Sequence, residues 1–190
     1  MRLRWLLWLA LAIPAASMAH SLQEGALAMD LLRPSGETAV RLMVLALLPG
    51  PLARALGQRP VLRQWLAVRR NLGVAAFAYG ALHLGLYAVD LGSIAAMIDE
   101  VGLPGIWTGW LAMALLCLPA AISFDAAMRA LGRRWKRLQR LVYPAFILAL
   151  AHWLLLDWSI WPIALHAAPV ALAWGLRLFP RRPVPFPAGA

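Results

Sequence analysis

The run RRNLGVAAFAYGALHLGLY, from Arg69 to Tyr87, opens on two arginines and then carries a single histidine, His83, through an otherwise uncharged stretch. A second run, LGRRWKRLQRLVYPAFILALAHW from Leu131 to Trp153, repeats the arrangement: a basic cluster, then an apolar stretch, then His152. His83 lies 13 residues after Arg70 and His152 lies 12 after Arg140. At about 1.5 Å per helical residue both imidazoles sit roughly 18–20 Å beyond a basic boundary. If both runs are helices that cross a bilayer in the same direction, the two histidines share one depth, slightly outward of the midplane of a core about 30 Å thick.

The rest of the chain fits that premise. Of its 190 residues, 63% are apolar and 14% are charged, against roughly 45–50% and 25% in soluble domains. Apolar stretches run from Trp5 to Met18, Thr38 to Pro51, Leu72 to Val89, Gly105 to Phe124, Leu141 to Leu156 and Ile160 to Phe179. With about 20 residues needed per span, they predict an all-α bundle of six transmembrane helices and leave no room for a separate soluble catalytic domain. Cys117 is the only cysteine, which excludes an internal disulfide and a cysteine-held cluster.

The formal net charge of +10 would fit nucleic-acid binding if the basic residues formed one face. They do not. All but Arg33 and Arg41 of the 18 basic residues fall at the N-terminus, between Arg54 and Arg70, between Arg129 and Arg140, or after Phe179 and at Arg177. Glu24, Asp30, Glu37, Asp90, Asp99, Glu100 and Asp157 occupy the alternate connections. The excess of Lys and Arg on one side marks the cytoplasm, so both termini are expected there and nucleic acid is not an expected partner; membrane lipid is. Residues 1–179 read as one domain and residues 180–190 as a proline-rich cytoplasmic tail. Arg2, Arg4, the apolar run to Pro14 and the small residues to Ala19 fit two roles, a first span or a signal peptide cleaved after Ala19. The segment from His20 to Glu37 reads as an outer loop lying partly on the membrane surface.

Chemistry in such a chain rests on the few polar groups inside the bilayer. Two neutral imidazoles approaching from facing helices are natural axial ligands for heme iron, and a site with both axial positions filled favours electron transfer. The competing reading of each histidine is an interhelical hydrogen bond. His166, near the level of His152, is a possible alternative ligand, or a residue bonded near the outer interface or to a heme propionate. Arg41, inside the second span on the side where basic residues are scarce, is a functional candidate as a propionate partner, with Glu37 one turn away as the competing partner. Arg133, Arg134, Lys136, Arg137 and Arg140 suit either positive-inside anchoring or the holding of heme propionates or a flavin phosphate. No glycine-rich nucleotide loop, paired-carboxylate site or Ser-His-Asp arrangement is visible in the sequence.

The two runs above, together with SGETAVRLMVLALLPGPLARALG from Ser35 to Gly57, resemble the MsrQ (YedZ) family, the heme-binding membrane subunits of the bacterial periplasmic methionine sulfoxide reductase system, within the ferric-reductase-like transmembrane group. The resemblance runs from about Arg4 to Leu178. It implies a six-helix b-type cytochrome of the bacterial inner membrane, an electron-transfer subunit rather than a self-sufficient enzyme. Electrons would come from a quinol or a flavin reductase on the cytoplasmic side and pass to a periplasmic molybdenum-containing reductase, with flavin mononucleotide (FMN) as an associated cofactor. The family's third-span ligand falls on His83 and the later of two fifth-span ligands on His152. The earlier one falls on Gln139, 13 residues before, and an amide is a poor heme ligand; the expectation is therefore one heme b. The entrance to the fourth span also departs from the family pattern, with GLPGI from Gly102 to Ile106. Two other readings stay open, a heme-free scaffold or transporter of the same fold and a stand-alone ferric reductase.

Overall fold

The computed structural model describes residues 2–57 and 59–176, with side chains from residue 5 onward. Among them ten α-helices and one 3-10 turn follow in order: α1 Arg2–Gln23, α2 Ala28–Leu47, α3 Pro49–Leu56, α4 Pro60–Leu91, α5 Ile94–Glu100, α6 Pro104–Ala121, α7 Asp125–Leu131, α8 Arg133–Leu138, the turn Gln139–Leu141, α9 Val142–Asp157 and α10 Ile160–Gly175. The segments Trp5–Gln23, Ala28–Leu56, Pro60–Leu91, Pro104–Ala121 and Arg133–Asp157 are long and apolar enough to cross a membrane. The sixth expected span, α10, is apolar and 16 residues long. Arg177, Arg181, Arg182 and the tail at 180–190 lie outside the described residues.

The long helices start and stop where backbone chemistry permits. Pro60 and Pro104 sit at the first positions of α4 and α6, where a missing N–H costs nothing and a fixed φ assists the first turn. Gly92 ends α4 with φ 67°, a left-handed conformation that glycine adopts without strain.

The connection between α1 and α2 differs from the expected outer loop. Only residues 24–27 separate the two helices, and α2 begins ten residues before the predicted span. Asp30 accepts from the backbone N–H of Leu27 at 3.0 Å, satisfying one donor at the helix start. Pro34 is tolerated inside the helix, with Thr38 donating to its carbonyl at 2.7 Å. Asp30, Arg33, Pro34, Gly36 and Glu37 lower the hydropathy of this segment, and helix geometry prevails because one face of it, Leu31 and Ser35, is buried against the bundle.

α2 lies antiparallel to α4: Leu32 faces His83, while Leu45 O accepts from Trp65 Nε1 at 2.9 Å. α6 lies antiparallel to α9 in the same way, Gly105 facing His152 and Leu156, and Pro119 facing Gln139. The core between these pairs consists of Val40, Met43, Val44 and Leu47, Leu72, Ala75, Ala76 and Tyr79, Leu116, and Ala145 with Phe146. Ala76 and Ala145 are fully buried, and such small residues let helix backbones approach closely where lipid offers no hydrophobic drive for association. Trp158 and Trp161 remain over 80% exposed, at the end of the bundle where an aromatic belt is expected.

α1 is attached by one polar insertion. The hydroxyl of buried Tyr79 donates to Leu11 O at 2.7 Å and accepts from Ala15 N–H at 2.9 Å. It thus stands inside a backbone i to i−4 step of α1, beside Pro14, the kind of side-chain insertion that bends a helix.

Candidate functional site

α2, α4, α6 and α9 enclose a cavity of about 370 Å³, within the range of ligand sites. Its walls are largely aliphatic, with Val40, Met43, Met113 and Leu116 among them, and His83 and His152 enter it from α4 and α9. The two ring centroids are 6.0 Å apart and the ring planes stand at 86° to one another.

The outer nitrogen of each ring is committed to the protein. His83 Nδ1 is 2.9 Å from Leu32 O, and His152 Nδ1 is 2.6 Å from Gly105 O. A carbonyl only accepts, so Nδ1 carries the proton in both rings and Nε2 is left with its lone pair. Two metal–nitrogen bonds of about 2 Å plus a ring radius of about 1 Å on each side come to about 6 Å, the separation found here. Among the described residues no group of three or more His, Cys, Asp or Glu side chains could hold a metal ion. A metal between these two imidazoles must therefore bring its remaining donors with it, as a macrocycle does. A largely apolar cavity with a few convergent polar groups has the character of a site for such a group.

The other predicted residues are placed apart from this pair. His166 is buried on α10, with Nδ1 2.6 Å from Pro162 O and its ring centroid 5.2 Å from that of Trp153; it does not line the cavity. Arg41 pairs with Glu37, the competing partner, and is 60% exposed. Glu37 borders the cavity and Arg41 does not. The cation at the rim is Arg33, 3.5 Å from Asp157, and both residues line the cavity. Sequence reasoning passed over Arg33 because its segment read as a loop; its spacing of eight residues before Arg41 was the available signal once the helix was extended.

Gln139 donates to Pro119 O at 2.9 Å and to Ser123 Oγ at 3.2 Å. It borders a second cavity of about 80 Å³ together with Arg69, Arg70, Trp135 and Tyr143, less than a quarter of the first. Arg70 also pairs with Asp125 at 2.5 Å, tying α4 to the head of α7.

Residues 35–150 match the family described as ferric reductase like transmembrane component. The chain is 35% identical to the protein-methionine-sulfoxide reductase heme-binding subunit MsrQ of Yersinia pseudotuberculosis serotype O:1b (strain IP 31758), over 92% of this chain and 90% of that one. The subunit of the same name from Yersinia pestis (strain Pestoides F) is equally similar, over 92% and 89%. The chain belongs to the MsrQ family. No solved structure matches it significantly. Among the described residues five helical segments are long and apolar enough to cross a membrane and all regular structure is helical, so this MsrQ-family chain is a helical membrane protein of the ferric-reductase-like group. The matched region opens on Ser35 and so includes Gly36, His83, Gly109 and Gln139.

Proposed function

We propose that this chain is the b-type heme subunit of a methionine sulfoxide repair system in the bacterial inner membrane. The reading has six spans and both termini in the cytoplasm, which the distribution of Lys and Arg supports. His83 and His152 are the axial ligands of a single heme. The observation that carries this is the facing pair, 6.0 Å between ring centroids with each Nδ1 held by a backbone carbonyl.

Heme iron with both axial positions filled exchanges one electron without opening a site to oxygen. The residues of the chain do the rest. Leu32 and Gly105 carbonyls fix the tautomers, the aliphatic walls exclude water, and Arg33 at the rim offers a cation to a propionate. That role, expected for Arg41, passes to Arg33 because Arg33 lines the cavity and Arg41 does not. His166, packed on Trp153, serves as a helix contact.

Electrons enter from a quinol or a flavin reductase on the inner side, with FMN as a further carrier held by the arginines around α8, and leave to a periplasmic molybdenum-containing reductase. Gln139, tied to Pro119 and Ser123 beside a small cavity, supports one heme per chain. The test is a two-step spectrum on membranes containing the chain. A quinol analogue is expected to reduce the heme, and addition of periplasmic methionine sulfoxide reductase with methionine sulfoxide to reoxidise it. Heme that the quinol reduces but the reductase does not reoxidise would contradict the assigned partner.

A further inference from the structure

The two histidines are received in the same way by two different helices. On α2, the hydroxyl of fully buried Ser35 lies 2.7 Å from Leu31 O and 2.9 Å from Leu32 O, the carbonyl that also faces His83 Nδ1. On α6, the hydroxyl of buried Thr108 lies 2.8 Å from Pro104 O and 2.8 Å from Gly105 O, the carbonyl that faces His152 Nδ1. In each case the next residue is glycine. A Cβ at Gly36 would stand 3.2 Å from the His83 ring, and one at Gly109 only 2.6 Å from His152 Nδ1. Carbonyl, hydroxyl three residues on, glycine four residues on: the pattern is shared although Leu32-Ser35-Gly36 and Gly105-Thr108-Gly109 share only the final residue. The helices carrying it stand in one relation to the histidine helices, α2 antiparallel to α4 and α6 antiparallel to α9.

We propose that the site is assembled from two equivalent half-sites, and that Ser35 with Gly36 and Thr108 with Gly109 are the positioning residues that seat each imidazole and set its donor strength. This rests on the ligand reading above. A hydroxyl that donates to an i−3 or i−4 carbonyl is common in helices; what is particular here is that the carbonyl also holds the imidazole N–H. Each hydroxyl's single proton is shared between two carbonyls, and the share given to Leu32 O or Gly105 O takes up part of that oxygen's accepting capacity, so the carbonyl draws less on Nδ1–H. The imidazole then stays a neutral donor. Without the hydroxyl the carbonyl draws harder, Nε2 becomes a stronger donor, and the oxidised iron is favoured. Ser35 Oγ also lies 3.2 Å from His83 Nδ1, so removing it takes away a second acceptor along with the donor, and the two changes oppose.

The experiment compares heme content, midpoint potential and low-spin ferric resonance of the detergent-purified wild type, Thr108→Val, Thr108→Ala, Thr108→Ser and Ser35→Ala chains. Thr108→Val is expected to keep heme while its potential moves negative, so that the reduced fraction at the wild-type midpoint falls severalfold, up to about tenfold. Thr108→Ser returns to the wild-type value and Ser35→Ala shifts less than Thr108→Val. Loss of heme from both Thr108→Val and Thr108→Ala, restored by Thr108→Ser, also supports the assignment, because the hydroxyl alone then decides. Unmoved potentials and spectra in heme-loaded Thr108→Val and Ser35→Ala, or heme loss that Thr108→Ser does not restore, would overturn it while leaving the ligand reading intact. A wild-type chain that binds no heme overturns both.

Discussion

The imidazole rings of His83 and His152 face each other at 6.0 Å across the bundle, with their planes nearly perpendicular. A direct hydrogen bond between them would need one Nε2 to carry a proton, yet both protons are drawn to Nδ1 by Leu32 and Gly105. Each Nε2 therefore keeps its lone pair, and an acceptor left without a donor in a largely apolar cavity is costly. On the proposed reading a metal lies between the rings, and the predictions below follow from that reading and from the helices that hold the pair.

Substituting the glycines is expected to act unequally. Gly109→Ala brings a methyl carbon 2.6 Å from His152 Nδ1, and Gly36→Ala brings one 3.2 Å from the His83 ring. The first forces the ring to move and is expected to lower heme affinity about tenfold or more, in the range of second-shell changes at metal sites; the second has a smaller effect. Heme titration of the apo chains checks the order.

Arg33 and Arg41 separate two assignments of the propionate partner. Arg33→Gln is expected to speed heme loss to a scavenging apoprotein, whereas Arg41→Gln leaves the rate near wild type, since only Arg33 lines the cavity. The reverse order would return the role to Arg41.

Restoring a histidine at the inner position is expected to leave the stoichiometry unchanged. Gln139 borders a space of about 80 Å³ against 370 Å³ for the outer cavity, so Gln139→His supplies a ligand without room for a macrocycle. Pyridine hemochrome analysis of that variant should still give one heme per chain.

α1 is expected to remain on the mature protein. Met18 is buried with Leu31 and Leu86, and Tyr79 places its hydroxyl within the α1 backbone; cleavage after Ala19 would strip both contacts and orphan a buried hydroxyl. Intact-mass analysis of the membrane-extracted chain should include residues 1–19. Tyr79→Phe should cost about 1 kcal/mol of unfolding free energy, the net value of such a bond, read by denaturant titration in detergent.

Much of this was legible before any coordinates. An all-helical membrane chain was legible in the apolar stretches, five segments being long enough to cross where six were expected; the juxtaposition of His83 with His152 was legible in the basic clusters, because charge fixes where a span begins and about 1.5 Å per residue then fixes depth. The segment from His20 to Glu37 was not legible, since Asp30, Arg33, Pro34 and Glu37 break the apolar pattern while Asp30 caps the helix and the buried face of Leu31 and Ser35 holds it. The supporting residues Leu32, Ser35 and Gly36 fell in that misread stretch. Thr108 and Gly109 went unnoticed for another reason: a hydroxyl and a glycine in an apolar helix carry no signal until the ring they receive is in place.

The most direct test is the dithionite-reduced minus oxidised spectrum of the detergent-purified chain, with heme counted per polypeptide, for wild type, His83→Ala and His152→Ala. A b-type bis-histidine spectrum at one heme per chain in the wild type, lost in both variants, is the predicted result. A folded wild-type chain without heme, or a bis-histidine spectrum that survives either substitution, would contradict the assignment of this pair.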